Sequence, residues 1–232
     1  MKKIGYFILI LCCVAACSPN HSTTSERRAA QRVSDSTELI RQEKTVAYTD
    51  SILQVLLPRV DTLLQLFEYE KYEKYEDKGR YIHRRLKTTR NVGRSHLQVY
   101  VADDGTLSMR SYYFGSKALA HTWITLRADS NQLRTKGSLH SLQTEEAIEI
   151  TTIESDDAEQ MLRFVDGYTS SKIQIILEGN NQKYIYSLPQ ADRQALIASY
   201  QLSAYIHDIK ELESRLRQAS LQVQKYKKRL QK

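Results

Sequence analysis

The sequence predicts an α+β protein in which two long heptad-patterned helices flank a small antiparallel β module, a sandwich or a bent sheet. Two observations predict this fold class. Apolar residues recur every seven positions near both ends of the chain, and between them the pattern changes to strand-like alternation with turn residues. With 41% hydrophobic and 26% charged side chains among 232 residues, the composition excludes collagen-like, wholly disordered and multi-spanning membrane proteins.

Residues 1–17 differ in character from the rest of the chain. Two lysines precede an apolar run from Ile4 to Val14, and Val14-Ala15-Ala16-Cys17 closes it. A membrane-spanning helix takes about 20 apolar residues, so this shorter run predicts a signal peptide over residues 1–16. The three cysteines lie at positions 12, 13 and 17, and we therefore expect no disulfide or thiolate metal site in the remaining chain.

Residues 14–17 resemble the lipobox of bacterial lipoproteins, which has the pattern aliphatic, small, small, Cys. The resemblance covers only the start of the chain. It implies diacylglycerol transfer to the Cys17 sulfur, cleavage before Cys17 and acylation of the new amino group, so the membrane becomes a partner through a stable lipid anchor. Ser18 in place of Asp implies the outer membrane in that class, and the lack of an acidic run after Cys17 favours a periplasm-facing position in the cell envelope.

The next two segments predict a tether and then a long helix. Residues 17–34 are rich in Ser, Thr, Arg and Gln, which indicates a lipidated tether without order of its own. Residues 35–78 predict the N-terminal helix, with Pro58 opposite its apolar stripe and interleaved charges over 68–76 continuing it. The apolar positions spaced by seven are Leu39, Val46, Leu53, Val60 and Phe67.

The C-terminal segment, residues 189–232, predicts a coiled-coil helix. Its two series of positions spaced by seven are Leu202, Ile209, Leu216, Val223 and Leu230, and Tyr205, Leu212, Ala219 and Tyr226. An a/d pattern over four heptads is typical of a coiled coil. We expect the two long helices to pair as an antiparallel stalk with the β module at its outer end. The alternatives left open are packing flat across a sheet and homodimerisation through the C-terminal helix.

Between the helices, residues 79–188 predict the antiparallel β module with one short helix over 156–165. Alternation of apolar and polar residues and the turn sequences between the runs indicate about six strands. These predicted strands cover 96–101, 107–114, 119–126, 147–153, 172–177 and 183–188.

The search for chemistry assigns no catalytic, cofactor-binding or metal-binding residue. None of the sequence motifs of metalloproteases, serine hydrolases or phosphate-binding loops is present. The six histidines are scattered, with no two at i, i+4 spacing. We therefore expect no enzyme and no cofactor. The enzymatic alternative is an envelope hydrolase of unknown type that uses His96, His121 or Asp104.

Charge is most uneven over residues 78–94, here called the basic segment, which holds seven cations and no acidic residue. We expect contacts with an anionic partner, either a protein or peptidoglycan, whereas nucleic acid is not expected in an envelope. The candidate residues are Arg80, Arg84, Arg85, Lys87, Arg90 and Arg94. A second group near the C-terminus would suit anionic lipid head groups or offset the helix dipole. It consists of Lys225, Lys227, Lys228 and Arg229.

Together these features predict a lipid-anchored cell-envelope protein whose work is interaction, as a scaffold or adaptor, rather than catalysis. The main alternative is a glycan- or peptidoglycan-binding lipoprotein that uses an aromatic face of the β module. The aromatic residues in question are Trp123, Tyr112, Tyr113, Tyr168, Tyr184 and Tyr186.

Overall fold

The computed structural model describes residues 23–72, 75–143 and 147–231. The predicted signal peptide and Cys17 lie outside these residues. The described part combines three α-helices with two antiparallel sheets, and the N-terminal and C-terminal helices flank the sheets as expected. The fold class is therefore mixed α and β.

Helix α1 spans Thr24–Leu64, so its bounds differ from the predicted 35–78 at both ends. A capping box starts it early: the Thr23 hydroxyl accepts a hydrogen bond from the Glu26 amide at 3.3 Å, and the Glu26 carboxylate accepts one from the Thr23 amide at 2.8 Å. Such reciprocal bonds satisfy two backbone donors at a helix start. Most of the segment predicted as a disordered tether is consequently helical.

Helix α1 stops before the charged stretch that was predicted to continue it. Strand β1, Phe67–Tyr72, and strand β2, Tyr75–His83, pair antiparallel there. Phe67 and Tyr69 alternate with Glu68 and Glu70 along β1, so these two aromatic side chains share one face, and the Tyr69 ring lies 4.9 Å from the Tyr81 ring. Cross-strand aromatic pairs of this kind stabilise sheets. The prediction of helix was therefore wrong for residues 68–72 and 75–76.

In the described residues, eight more strands, one short α-helix and two 3-10 helices, Arg84–Leu86 and Thr88–Arg90, complete the β module. The helix, α2, spans Ser155–Gly167. The strands are β3 His96–Ala102, β4 Leu107–Gly115, β5 Trp123–Ala128, β6 Asn131–Lys136, β7 Ser138–Gln143, β8 Ala147–Ile153, β9 Ile173–Gly179 and β10 Gln182–Ser187. The six strands expected from the sequence correspond to β3, β4, β5, β8, β9 and β10. Strands β1, β2, β6 and β7 were not predicted.

The strands form two sheets that share one core. The first sheet has the order β1-β2-β3-β4-β8-β7, and the second has the order β10-β9-β5-β6. The chain passes from the first sheet to the second between β4 and β5. This connection, residues 116–122, is called the crossover. Alternate residues of both sheets point into the core, such as Val99 in the first and Leu126 in the second, where they meet α2 and the start of the last helix.

Helix α3, Gln190–Leu230, has two parts with different neighbours. Its first part packs on the β module, with Leu196 and Leu202 fully buried and the Ser203 hydroxyl donating to the carbonyl oxygen of Gly105 at 2.6 Å. Its second part runs beside α1. The alternative of a helix packed flat across a sheet therefore applies only to the first part.

Helices α1 and α3 run antiparallel and form a helical hairpin. At one end, Lys227 Nζ lies 2.9 Å from Glu43 Oε1 and Arg229 Nη1 lies 3.6 Å from Asp35 Oδ1. At the other end, Leu63 and Tyr205 line one groove. About 30 residues of each helix lie alongside the other, which makes the paired part roughly 45 Å long at 1.5 Å per residue.

Candidate functional site

The basic segment is attached to α3 by a buried carboxylate. Asp192, in the first turn of α3, is only 3% exposed. Its Oδ1 accepts a hydrogen bond from Arg85 Nε and its Oδ2 accepts one from Arg94 Nη2, both at 2.8 Å. The Asn91 amide donates to the carbonyl oxygens of Arg85 and Lys87. Two of the predicted partner contacts therefore serve the fold directly.

Two further cations of the basic segment bind the β1–β2 pair. Lys87 Nζ lies 2.6 Å from Glu68 Oε2 and 3.3 Å from Glu70 Oε1. Arg80 Nη2 lies 3.2 Å from Glu70 Oε2, and its guanidinium stands 3.9 Å from the centre of the Tyr100 ring. These acidic residues were assigned to a helix from the sequence, so their proximity to the cations was not foreseen.

Arg84 and Arg90 are exposed. The pKa of Glu68 is lowered, chiefly by the hydrogen bond from Lys87 and further by the charges of these two arginines. Of the six candidate contacts, Arg80, Arg85, Lys87 and Arg94 are thus paired within the chain. Arg84 and Arg90 form no ion pair within 4 Å in the described part of the chain, although their charges act on Glu68.

A Ser–His–Glu arrangement lies in the core between the two sheets. His121 Nδ1 is 2.8 Å from Glu149 Oε2, and His121 Nε2 is 3.1 Å from Ser111 Oγ. Ser111 and Glu149 are neighbours on the core face because β4 pairs with β8, and His121 comes from the crossover before β5. Each of the three side chains is completely buried.

Hydrogen bonds fix the protonation of this arrangement. The Glu149 carboxylate also accepts the backbone N–H groups of Leu119, Ala120 and His121 at 2.5–2.9 Å. Burial acts to raise the pKa of Glu149, but these bonds and the one from His121 hold it below its usual range. Burial lowers the pKa of His121 despite the carboxylate. A neutral imidazole then donates to Glu149 and accepts from Ser111.

The geometry is that of a catalytic triad, yet its surroundings are those of a core. A nucleophile must reach a substrate, and Ser111 has no exposed surface. Instead, the carboxylate collects four N–H groups from the crossover, where Ala120 has a φ of 50°, a backbone conformation that costs a non-glycine residue about 1 kcal/mol or more. The cluster therefore holds the crossover between the two sheets in place.

The other residues of the hydrolase alternative lie elsewhere. His96 is on the opposite face of the first sheet from Ser111, and its ring stacks on Tyr112 with a centroid distance of 4.6 Å. Asp104 lies in the β3–β4 turn, where it accepts the Thr106 amide at 2.8 Å. The structure does not bring His96, His121 and Asp104 together.

An open groove of about 530 Å³ lies over the outer face of the second sheet, and we call it the Trp123 groove. Arg134 Nε is 3.1 Å from Glu178 Oε2, and the Arg134 guanidinium stands 4.2 Å from the centre of the Trp123 ring. Lys183 Nζ is 2.5 Å from Glu178 Oε1, and the Asn180–Asn181 turn closes one end. An indole beside charged and amide groups is a set that can bind a saccharide by stacking and hydrogen bonds.

The tyrosines of the predicted aromatic face are distributed differently from the expectation. Tyr112 and Tyr113 are buried. Tyr184 and Tyr186 pack against the core, where the Tyr184 ring lies 5.1 Å from that of Tyr113. Tyr168 lies against Phe164 of α2. Among the aromatic residues named from the sequence, only Trp123 borders the groove.

Among the described residues, no three His, Cys, Asp or Glu side chains come together as metal ligands would. Within the same ranges, every helix is too polar for any stretch of it to span a bilayer. No protein-family model, no curated protein and no solved structure matches the chain.

Proposed function

We propose that this chain is a lipid-anchored cell-envelope protein that acts through interaction, with its β module held away from the membrane by the helical hairpin. The anchor is Cys17, on the periplasmic side of the outer membrane. One observation carries the proposal. The antiparallel pairing puts Thr23, six residues after Cys17, at the end of the hairpin opposite to the β module. Six residues reach at most about 20 Å, so lipid and hairpin lie close together.

The pairing of α1 and α3 supports the finer proposal of an antiparallel coiled coil. In α1, Leu53 and Val60 are buried, and in α3, Ala219 is buried while Ile209 is half-buried. These positions belong to the heptad series of the sequence, and side chains at such positions interdigitate in coiled coils. A hairpin of this kind is stiff, which suits a spacer between a membrane and a binding module.

Site-specific photocrosslinking in intact cells tests the proposal. A photoreactive amino acid replaces Val92 or Ile185 on the β module, where these side chains are 78% and 52% exposed, or Tyr48 of α1, which is 64% exposed, as the matched control on the hairpin. We expect discrete adducts from the β-module positions, lost when Cys17→Ser releases the protein from the membrane. An absence of adducts from both β-module positions, or identical adducts with Cys17→Ser, would contradict an anchored interaction protein.

A second candidate function, saccharide binding, is favoured by the Trp123 groove. Its test is co-sedimentation of a fragment covering residues 18–232, which keeps every described element, with purified peptidoglycan. We expect Trp123→Ala to lose retention if the groove binds glycan, while Arg127→Gln, a change on the same strand at an exposed position, keeps it. The double variant Arg84→Ser, Arg90→Ser tests the basic segment separately, because neither arginine is hydrogen-bonded to Asp192, unlike Arg85 and Arg94. Equal retention of all variants would exclude both surfaces.

A further inference from the structure

The net positive charge of the chain is concentrated at one end of the helical hairpin. We call this end the base, defined as residues 23–44 of α1 and 224–231 of α3. It holds nine Lys and Arg against four Asp and Glu, a net charge of +5. The cations are Arg27, Arg28, Arg32, Arg41, Lys44, Lys225, Lys227, Lys228 and Arg229. Antiparallel pairing is what brings the two groups together.

The remainder of the molecule is close to neutral. Residues 45–223, which include the whole β module and the basic segment, hold 22 Lys and Arg against 23 Asp and Glu, a net charge of −1. The molecule is therefore an electric dipole with its positive pole at the base. A field arranged in this way orients a protein with respect to a charged surface.

Only some of the base cations serve the fold. Lys227 and Arg229 bridge the two helices through Glu43 and Asp35. Lys225 and Lys228 are exposed, and they line an open groove with Leu221, itself 59% exposed. In α1, every residue from Thr23 to Ser34 is exposed, including Arg28 and Arg32. This first part of α1 extends past the end of α3.

The helix dipole does not account for the base charge as a whole. Cations in the last turn of α3 offset the negative end of its dipole, but Arg28 lies near the start of α1, at the positive end of that helix, where a cation is unfavourable. The dipole therefore gives no reason for a cation at this position, whereas an anionic surface outside the chain would. The position of Cys17 shortly before the base indicates where that charge would be.

We infer that the base is a docking surface for anionic phospholipid head groups of the membrane that holds the anchor. This inference rests on the proposed lipid anchor. Cationic side chains near an anionic leaflet are attracted within about a Debye length of 10 Å at 0.1 M salt. With the acyl chains inserted at Cys17, contact of the base with the head groups adds a second attachment and fixes the tilt of the hairpin, so the β module stands away from the surface.

Vesicle co-sedimentation of residues 18–232 tests the inference without the lipid anchor. The probes are vesicles of phosphatidylcholine mixed with phosphatidylglycerol, vesicles of phosphatidylcholine alone, and a short DNA duplex. The base variant carries Arg28→Gln, Lys225→Gln and Lys228→Gln, which spare both interhelical ion pairs and keep good helix formers. The matched control carries Lys117→Gln, Arg127→Gln and Lys172→Gln, three exposed cations of the β module.

We expect the protein to bind the anionic vesicles alone. The affinity should be roughly 100-fold lower for the base variant, at about fivefold per cation removed, and unchanged for the control variant. Binding should also weaken steeply as salt is raised. Equal binding to neutral vesicles, equal loss in the control variant, binding indifferent to salt, or preference for DNA would overturn the inference. The anchor is checked independently, by the mass of the membrane-extracted protein. An unmodified Cys17 would contradict the proposed function while leaving the vesicle result valid.

Discussion

The Nδ1 atom of His121 lies 2.8 Å from Oε2 of Glu149, and neither side chain has any exposed surface. The two residues join the strand β8 of one sheet to the crossover that enters the other sheet. A buried carboxylate with four N–H donors is stable only while all of its partners are in place. Loss of either partner therefore leaves buried polar groups without hydrogen bonds.

Replacement of Glu149 by Ala should therefore destabilise the fold by about 3–5 kcal/mol, since it leaves three backbone N–H groups and an imidazole buried without an acceptor. Urea unfolding of residues 18–232, followed by circular dichroism, measures the change. Glu159→Ala is the control, because Glu159 forms an exposed i, i+4 pair with Arg163, and such pairs contribute little. Similar small effects of both substitutions would show that the crossover is held by other contacts.

Stability should decrease on mild acidification. Burial keeps the pKa of His121 below the unfolded value of 6.5, so below about pH 6.5 the unfolded chain takes up a proton that the folded chain does not. The unfolding free energy then falls by about 1.4 kcal/mol per pH unit for each such histidine until the folded pKa is reached. Burial lowers the pKa of His83 and His96 as well, which adds in the same direction.

The measurement for this pH dependence is urea unfolding between pH 7.5 and 5. His121→Gln should give a slope that is shallower by the contribution of one proton. An NMR titration of the His121 ring provides a second readout, and we expect its signals to titrate below the usual histidine range. Identical slopes for the two proteins would contradict the assignment of a buried neutral imidazole.

Thr49→Val should stabilise the helical hairpin by about 1 kcal/mol. Thr49 is fully buried in α1, and its Oγ1 has no hydrogen-bond partner among the described residues. Replacing an unsatisfied hydroxyl by a methyl group of similar size removes the cost of its desolvation. Thr45→Val is the matched control, because the Thr45 hydroxyl donates to the Arg41 carbonyl oxygen at 3.0 Å. Thermal unfolding compares the two, and a destabilised Thr49→Val protein would refute the prediction.

Asp192→Ala should cost about 2 kcal/mol, because hydrogen bonds to charged groups contribute roughly 1.5–3 kcal/mol and Arg85 and Arg94 can partly return to water. We also expect faster proteolysis within the basic segment, which loses its connection to α3. Asp208→Ala, at an exposed position of the same helix, should change neither property. Resistance to protease equal to that of the unchanged protein would show that the segment is held mainly by Lys87 and Leu86.

Gly179→Ala should disrupt the junction of the two sheets. A Cβ atom at Gly179 would collide with the carbonyl oxygens of Leu119 and Ala120, whereas one at Gly167 would meet open space. Backbone atoms of a held crossover cannot move aside cheaply. We expect a clear loss of melting temperature for Gly179→Ala and almost none for Gly167→Ala. Equal melting temperatures would mean that the crossover yields.

The sequence predicted secondary structure correctly where buried positions recur with a fixed period. It did not predict contacts between segments that are distant in the chain. Heptad spacing predicted both long helices, and alternation predicted six strands, because each pattern reports one buried face. A helix was predicted over Glu68–Glu76 because opposite charges at i, i+4 spacing stabilise helices. Residues 67–70 also alternate aromatic and acidic side chains, which is a pattern of strands. Strand β6 was missed because only Leu133 and Thr135 of this edge strand face inward.

The polar clusters were beyond sequence reasoning for a different reason. Arg85 and Asp192 are 107 residues apart, and no local pattern reports that β2 and the start of α3 are neighbours. Ser111, His121 and Glu149 come from three elements on both sides of the crossover. The available signal was the position of His121 in the predicted strand over 119–126, and that position does not identify its partners.

The antiparallel pairing of α1 with α3 has a consequence for the order of folding. Helix α1 is synthesised before the β module, and the stretch of α3 that covers its apolar stripe is synthesised after it. The contacts between the two helices are therefore among the most distant in the sequence, and such contacts form late. Until they form, α1 presents an uncovered apolar surface, so a chaperone that shields this helix would determine how much of the protein reaches its folded form.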